Sequence, residues 1–150
     1  MKNKSLGDKK MNDLLLQSEY AEIMIELLQE PYRIDSVIKL VFMSFCVRNE
    51  IRSSYKNRKT DFVNIFLNNL NIKLLSHPDE LECIFAVLDK LRTCGWIKTD
   101  SGKIEVRRDL SGFKCGHKFL NNCKEKDINP IIEVNKLDDK AFLEEMLRHV

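Results

Sequence analysis

Glycine and proline are scarce in this chain, at five and three residues among 150. That scarcity, with no low-complexity segment and no internal repeat, favours helix over sheet. Long apolar runs are missing too. The longest, Val37 to Val47, is interrupted by Lys39 and falls well short of the ~20 residues that a membrane-spanning helix needs. No Cys-x-x-Cys pair occurs, and the cysteines (Cys46, Cys83, Cys94, Cys115, Cys123) are odd in number. With no secretory leader at the N-terminus, they read as reduced thiols of a cytoplasmic protein. No glycine-rich phosphate loop is present, and no Ser, Cys or carboxylate stands in a nucleophile context. The three histidines, His77, His117 and His149, are scattered. The expectation is a protein that is not an enzyme and needs no cofactor.

Neither sign of charge dominates. The formal net charge is +2, which argues against a free-standing, strongly electrostatic nucleic-acid binder. The charges are nonetheless segregated. Residues 12–30 hold Asp13, Glu19, Glu22, Glu26 and Glu30 and no basic group, whereas residues 48–59 hold Arg48, Arg52, Lys56, Arg58 and Lys59 against Glu50 alone.

A chain of this length makes one domain and buries roughly 68–70% of the surface its unfolded form exposes. Residues 1–11 read as a mobile basic tail. A first helix is predicted over Asn12 to Gln29, with Leu15, Ile23 and Leu27 inward and Glu19, Glu22 and Glu26 as an acidic stripe; Pro31 stops it. Asp35-Ser36 caps a second helix running to about Tyr55. Its first half is apolar almost all round and belongs at the domain's centre. Thr60 caps a third helix, with Phe62, Phe66 and Leu70 in line and Val63 and Leu67 beside them.

The most telling stretch is Pro78 to Val106. Ser76 and Asp79 have capping-box spacing, and Pro78 suits a first helical turn. Leu81, Ile84, Phe85, Leu88 and Leu91 mark one helix face. Gly95 sits where a left-handed stop is wanted. Asp100-Ser101-Gly102 then reverses the chain between two segments of period-two pattern. A helix, a glycine stop, Trp96 and a polar hairpin form the last third of a winged-helix unit. The predicted class is therefore mainly α: a winged-helix-like domain over 12–110 with one β-hairpin, an N-terminal helix and a C-terminal extension over 111–150. In that extension a short helix is expected around His117–Lys124, an edge strand at Ile131–Val134, and a last helix over Lys140–His149 capped by Leu137-Asp138-Asp139.

Each charged constellation has a functional and a bland reading. Arg48, Arg52 and Lys56, with Arg58 and Lys59 following, suit contacts to a nucleic-acid backbone; equally, cations at a helix C-terminus are stabilised by the macrodipole. Lys98, Lys103, Arg107 and Arg108 suit a wing on DNA. The helix before them presents Glu80, Glu82 and Asp89 with Lys90 and Arg92, so base reading is not its use and protein contact is. The stripe Glu19/Glu22/Glu26, with Trp96, is the candidate protein-docking surface; plain solubility is the alternative. Cys94, Cys115, His117 and Cys123 can be assembled into a zinc set, but only Cys115/His117 approach the paired spacing that structural zinc favours.

The order of elements, ending in Leu-Arg-Thr-Cys-Gly-Trp-Ile-Lys-Thr-Asp-Ser-Gly-Lys-Ile-Glu-Val (Leu91–Val106), resembles the middle components of bacterial three-component ABC systems. These small subunits accompany an SMC-like ATPase, and the C subunit of the anti-phage and anti-plasmid Lamassu systems is one. The resemblance covers about Glu19 to Val106 and rests on element order and hydrophobic pattern. It implies a non-catalytic bridging subunit that binds an SMC-like coiled-coil ATPase and an effector, often a nuclease, with only non-specific DNA backbone contact. A free-standing winged-helix regulator of transcription is the competing reading.

Overall fold

A computed structural model describes residues 6–51, 67, 70–74, 76–113, 116–125 and 129–147. The elements run α1 (Leu6–Leu27), α2 (Val37–Arg48), α3 (Pro78–Thr93), β1 (Ile97–Asp100), β2 (Lys103–Val106), α4 (Lys118–Glu125), α5 (Pro130–Asn135) and α6 (Asp139–Leu147). Among the described residues the chain is mainly helical, as its composition predicts, with one two-stranded antiparallel hairpin.

α2 is the axis of the fold. Ser36 caps it, its Oγ accepting from the Lys39 N–H at 3.4 Å. Leu40, Met43, Phe45, Cys46 and Val47 are wholly enclosed. Each such side chain contributes about 1.5–3 kcal/mol by leaving water. α1 and α3 pack on α2 and on each other, and α4 and α6 close over its remaining sides. Phe119, Phe142 and Met146 therefore share one core with Tyr20 and Ile23, and the segment after residue 110 is part of the same body. Even Lys39 is enclosed, its Nζ donating to the Asn135 carbonyl at 3.1 Å.

The hairpin forms where the sequence places it. Gly95 (φ 77°) ends α3: its N–H bonds the Arg92 carbonyl and the Trp96 N–H bonds that of Leu91, both at 3.0 Å, which is a Schellman stop. Ser101 (φ 51°) and Gly102 (φ 79°) make the two-residue turn, with Asp100 opposite Lys103 and Ile97 opposite Val106. The backbone of Asp35–Val37 joins this hairpin, since the Ile104 N–H donates to the Asp35 carbonyl at 2.7 Å and the Val37 N–H to that of Gly102 at 2.9 Å.

Other expectations need correction. α1 begins at Leu6, six residues before the predicted Asn12, and ends at Leu27, before Pro31 is reached. Leu15, expected inward, is 62% exposed, and Phe85, assigned to the buried face of α3, is 52% exposed. α2 stops at Arg48 instead of continuing to Tyr55. Its stop is another Schellman pattern, with Glu50 (φ 49°) in the place glycine usually takes and Ile51 N–H bonding the Cys46 carbonyl at 3.0 Å. The Ser76–Asp79 capping box does not form. Pro78 opens α3, which makes His77 the N-cap residue, and Ser76 instead donates to the Ile72 carbonyl at 3.2 Å. The segment expected as an edge strand, Ile131–Val134, is helix α5, started by Pro130 and by Asn129, whose Oδ1 accepts from the Ile131 N–H at 3.1 Å. Asp138 caps α6 as predicted, accepting from the Ala141 N–H at 2.7 Å. Thr60, Phe62, Val63 and Phe66 lie outside the described residues, whereas Leu67 and Leu70 are helical and buried.

Candidate functional site

Arg48, the first of the predicted phosphate contacts, is turned to the chain's own carboxylates. Its guanidinium lies 3.4 Å from Glu19 of α1 and 3.6 Å from Glu80 of α3. Glu80 also accepts from Tyr20 Oη at 2.7 Å and from Asn49 Nδ2 at 3.4 Å, with His77 Nδ1 at 3.8 Å. His117 Nε2, just ahead of α4, reaches the other side of Glu19 at 3.9 Å. Burial, reinforced by the Glu80 hydrogen bond, pushes the Tyr20 phenol well above its ordinary range. This polar cluster ties α1, α2, α3 and the start of α4 together, and it holds the Arg48 guanidinium against the chain's own carboxylates. Arg52, Lys56, Arg58 and Lys59 lie outside the described residues.

The acidic stripe is not one outward surface either. Glu19 faces Arg48 and His117, and Glu26 is buried against Lys124 Nζ at 3.3 Å; Glu22 alone of the three is exposed. The three carboxylates share one side of α1, but Glu19 meets Arg48 of α2 and His117 ahead of α4, Glu26 meets Lys124 of α4, and Glu22 between them meets solvent.

On the hairpin, Lys98 is exposed, Lys103 lies 3.9 Å from Asp139, and Arg107 lies 3.7 Å from Glu105. The Arg108 guanidinium stands 4.6 Å from the centre of the Trp96 ring, which in turn packs at a 50° tilt against Phe113, ring centres 5.1 Å apart. Trp96 is thus half-buried beneath a cation, and it anchors the hairpin to the loop before α4. Of the residues considered for zinc, Cys94 is exposed at the end of α3, Cys123 is buried in α4, His117 faces Glu19, and Cys115 is not among the described residues. No three His, Cys, Asp or Glu side chains gather as a metal requires among the described residues.

What sequence reasoning missed is a ridge on α1. Met11, Leu14 and Leu15 are 57%, 56% and 62% exposed, and every residue from Gly7 to Leu15 is exposed. At 100° per residue these three side chains lie opposite Leu16, Tyr20 and Ile23, which meet the core. α1 is therefore apolar on two opposing faces, and Met11, Leu14 and Leu15 stand on the exposed one. The signal was legible in Met11-x-x-Leu14-Leu15, a second i, i+3, i+4 set beside the core's own.

Two clefts lie among the described residues. One of about 370 Å³ lies between the end of α1, the loop at Ser111–Phe113 and α4. A shallower one of about 330 Å³ runs along Arg92, Thr93 and Lys98, Thr99. No helix among the described residues is long and apolar enough to cross a membrane. No protein-family model matches the chain, and neither a curated protein nor a solved structure matches it.

Proposed function

We propose that this chain is a non-catalytic adaptor with a winged-helix-like core, a bridging subunit of an SMC-like ATPase complex in bacterial defence against phages or plasmids. It joins the ATPase to an effector such as a nuclease and touches DNA, if at all, only along its backbone. The supporting observation is an inversion of the usual surface. Charged groups such as Arg48, Glu80 and Glu26 are paired with one another's elements within the fold, while Met11, Leu14 and Leu15 face outward on α1. Apolar side chains in contiguous exposed sets mark protein contacts, and i, i+3, i+4 spacing suits a helix laid into a partner's groove. The winged-helix reading draws support from the Asp35–Val37 backbone, which adds a third strand-like segment to the hairpin.

Co-expression of the tagged chain with an SMC-like ATPase from its genetic neighbourhood tests the proposal. Co-purification is expected, and Leu14→Glu with Leu15→Glu should abolish it. Retention of the ATPase by that variant would discard the ridge, and hydrolytic turnover by the purified chain alone would discard the adaptor.

The competing reading, a free-standing DNA-binding regulator, draws on exposed Lys98 and the neighbouring wing cations. Against it, Lys103, Arg107 and Arg108 are each engaged by Asp139, Glu105 and Trp96. The outer face of α3 carries Glu82 and Asp89, which repel a phosphate backbone. Tight, salt-resistant binding of the isolated chain to a palindromic site would favour the regulator.

A further inference from the structure

The exposed side of α1 extends beyond its apolar ridge. Asp8, Met11, Leu15, Ser18 and Glu22 are all exposed, and they recur at alternating steps of three and four residues. That alternation is the seam spacing of a two-stranded coiled coil. From Asp8 to Glu22 the stripe covers about 21 Å of helix. Its apolar members, with Leu14 one step to the side, fall in its middle, and its charged members fall at the two ends. On the helix wheel it lies opposite Leu16, Tyr20 and Ile23, which meet the core. The body of the molecule therefore sits behind α1 and leaves the seam open.

The stripe is also complementary to itself. In an antiparallel pair centred on Asp13, whose own side chain lies on the opposite face, Met11 of each copy meets Leu15 of the other. Leu14 of each copy closes over the two-fold axis. Asp8 falls opposite Ser18 of the second copy, whose hydroxyl donates to it. Glu22 falls just beyond the N-terminal end of the facing α1, where the helix dipole is positive and residues 1–10 carry Lys2, Lys4, Lys9 and Lys10 against Asp8 alone. A parallel pair would instead set Asp8 against Asp8 and Glu22 against Glu22, like charges that repel.

We infer that the free chain pairs with a second copy of itself through α1, antiparallel and centred on Asp13. Three apolar side chains per copy cover far less than the roughly 800 Å² per partner of a standard stable interface, so the pair is weak and exchanges, with a dissociation constant on the order of 10–100 μM. Such a pair covers the ridge in the free chain, and the ATPase displaces the second copy from it. The inference rests on the adaptor reading only in treating the ridge as a contact surface.

Sedimentation velocity of the purified full chain, over loading concentrations that bracket this affinity, tests it. A reversible monomer–dimer transition is expected. Leu15→Glu and Met11→Lys should each weaken pairing at least tenfold, and because both positions are exposed, each variant should keep the native circular dichroism. Mixed together, these two variants should pair more tightly than either does alone, since the antiparallel register sets the introduced cation against the introduced anion in one layer and leaves the other layer native. Glu22→Lys should weaken pairing more at low salt than at high salt. A chain that stays monomeric throughout, a dimer that Leu15→Glu leaves intact, or no gain on mixing overturns the inference. A monomeric chain that still retains the ATPase strikes the pairing and leaves the adaptor standing. A dimer that the ATPase neither joins nor dissociates strikes the adaptor and leaves the pairing standing.

Discussion

Tyr20 Oη donates a 2.7 Å hydrogen bond to Glu80 Oε1, joining α1 to α3 across 60 positions of sequence. The phenol is enclosed, and Glu80 in turn faces Arg48, so this single contact holds the middle of a charged cluster. Tyr20→Phe deprives Glu80 of its shortest donor and should destabilise the fold by about 1–2 kcal/mol at neutral pH. Urea denaturation followed by far-ultraviolet circular dichroism measures it.

The same bond predicts the alkaline behaviour. Burial and Glu80 raise the Tyr20 phenol above its ordinary value. A raised acid keeps its proton in the fold while the unfolded chain releases it, so this contribution is whole below about pH 10 and shrinks as the pH climbs beyond. Tyr32 is raised in the same direction by burial and adds to the loss. Stability should fall between pH 9 and pH 11 less steeply in Tyr20→Phe than in the native chain. Parallel curves for the two proteins would show that Tyr20 is not held protonated.

Helix stops give a second comparison. α2 and α3 end with the same backbone pattern, but one uses Glu50 at φ 49° and the other Gly95 at φ 77°. A left-handed residue with a side chain is disfavoured by roughly 1–2 kcal/mol relative to glycine. Glu50→Gly should therefore stabilise by about 0.5–1 kcal/mol and Gly95→Ala destabilise by about 1 kcal/mol. Opposite displacements of the thermal midpoint check both, and a stabilising Gly95→Ala would contradict the geometry.

This pair also shows what was readable in the chain. Gly95 announced its stop because glycine is the residue that conformation favours. Glu50 carries no such signal, so the sequence pattern runs α2 on to Tyr55. The hairpin was legible from Asp100-Ser101-Gly102 since both central residues take positive φ. The Ile131–Val134 segment misled because a short apolar run has no period; only Asn129-Pro130 before it signalled a helix start. The inward turn of Arg48 and Glu26 could not be read at all. Charge spacing fixes a helix face but does not say which neighbour will cover it.

Phe142 tests whether the last third is an appendage or part of the core. It is fully enclosed and its ring centre lies 5.6 Å from that of Phe42 on α2. Phe142→Ala should cost about 3–5 kcal/mol, and a chain ending at residue 110 should lose cooperative unfolding because α2 is left open on one side. A truncated chain that melts cooperatively near the full-length midpoint would make residues 111–150 dispensable to the fold.

Arg48 separates the two readings of the basic segment. Its side chain is 33% exposed and its guanidinium is shared between Glu19 and Glu80, the latter only 15% exposed. Removing it leaves a largely desolvated carboxylate without its cation, which costs more than a surface pair is worth. Arg48→Met should lower stability by about 1–2 kcal/mol. Any association with DNA measured at low salt should stay the same, because a cation already neutralised inside the protein releases no counterions from a phosphate. A chain whose stability is unmoved and whose DNA affinity falls would reverse the assignment, and would return Arg48 to the solvent-facing role that its position in the sequence first suggested.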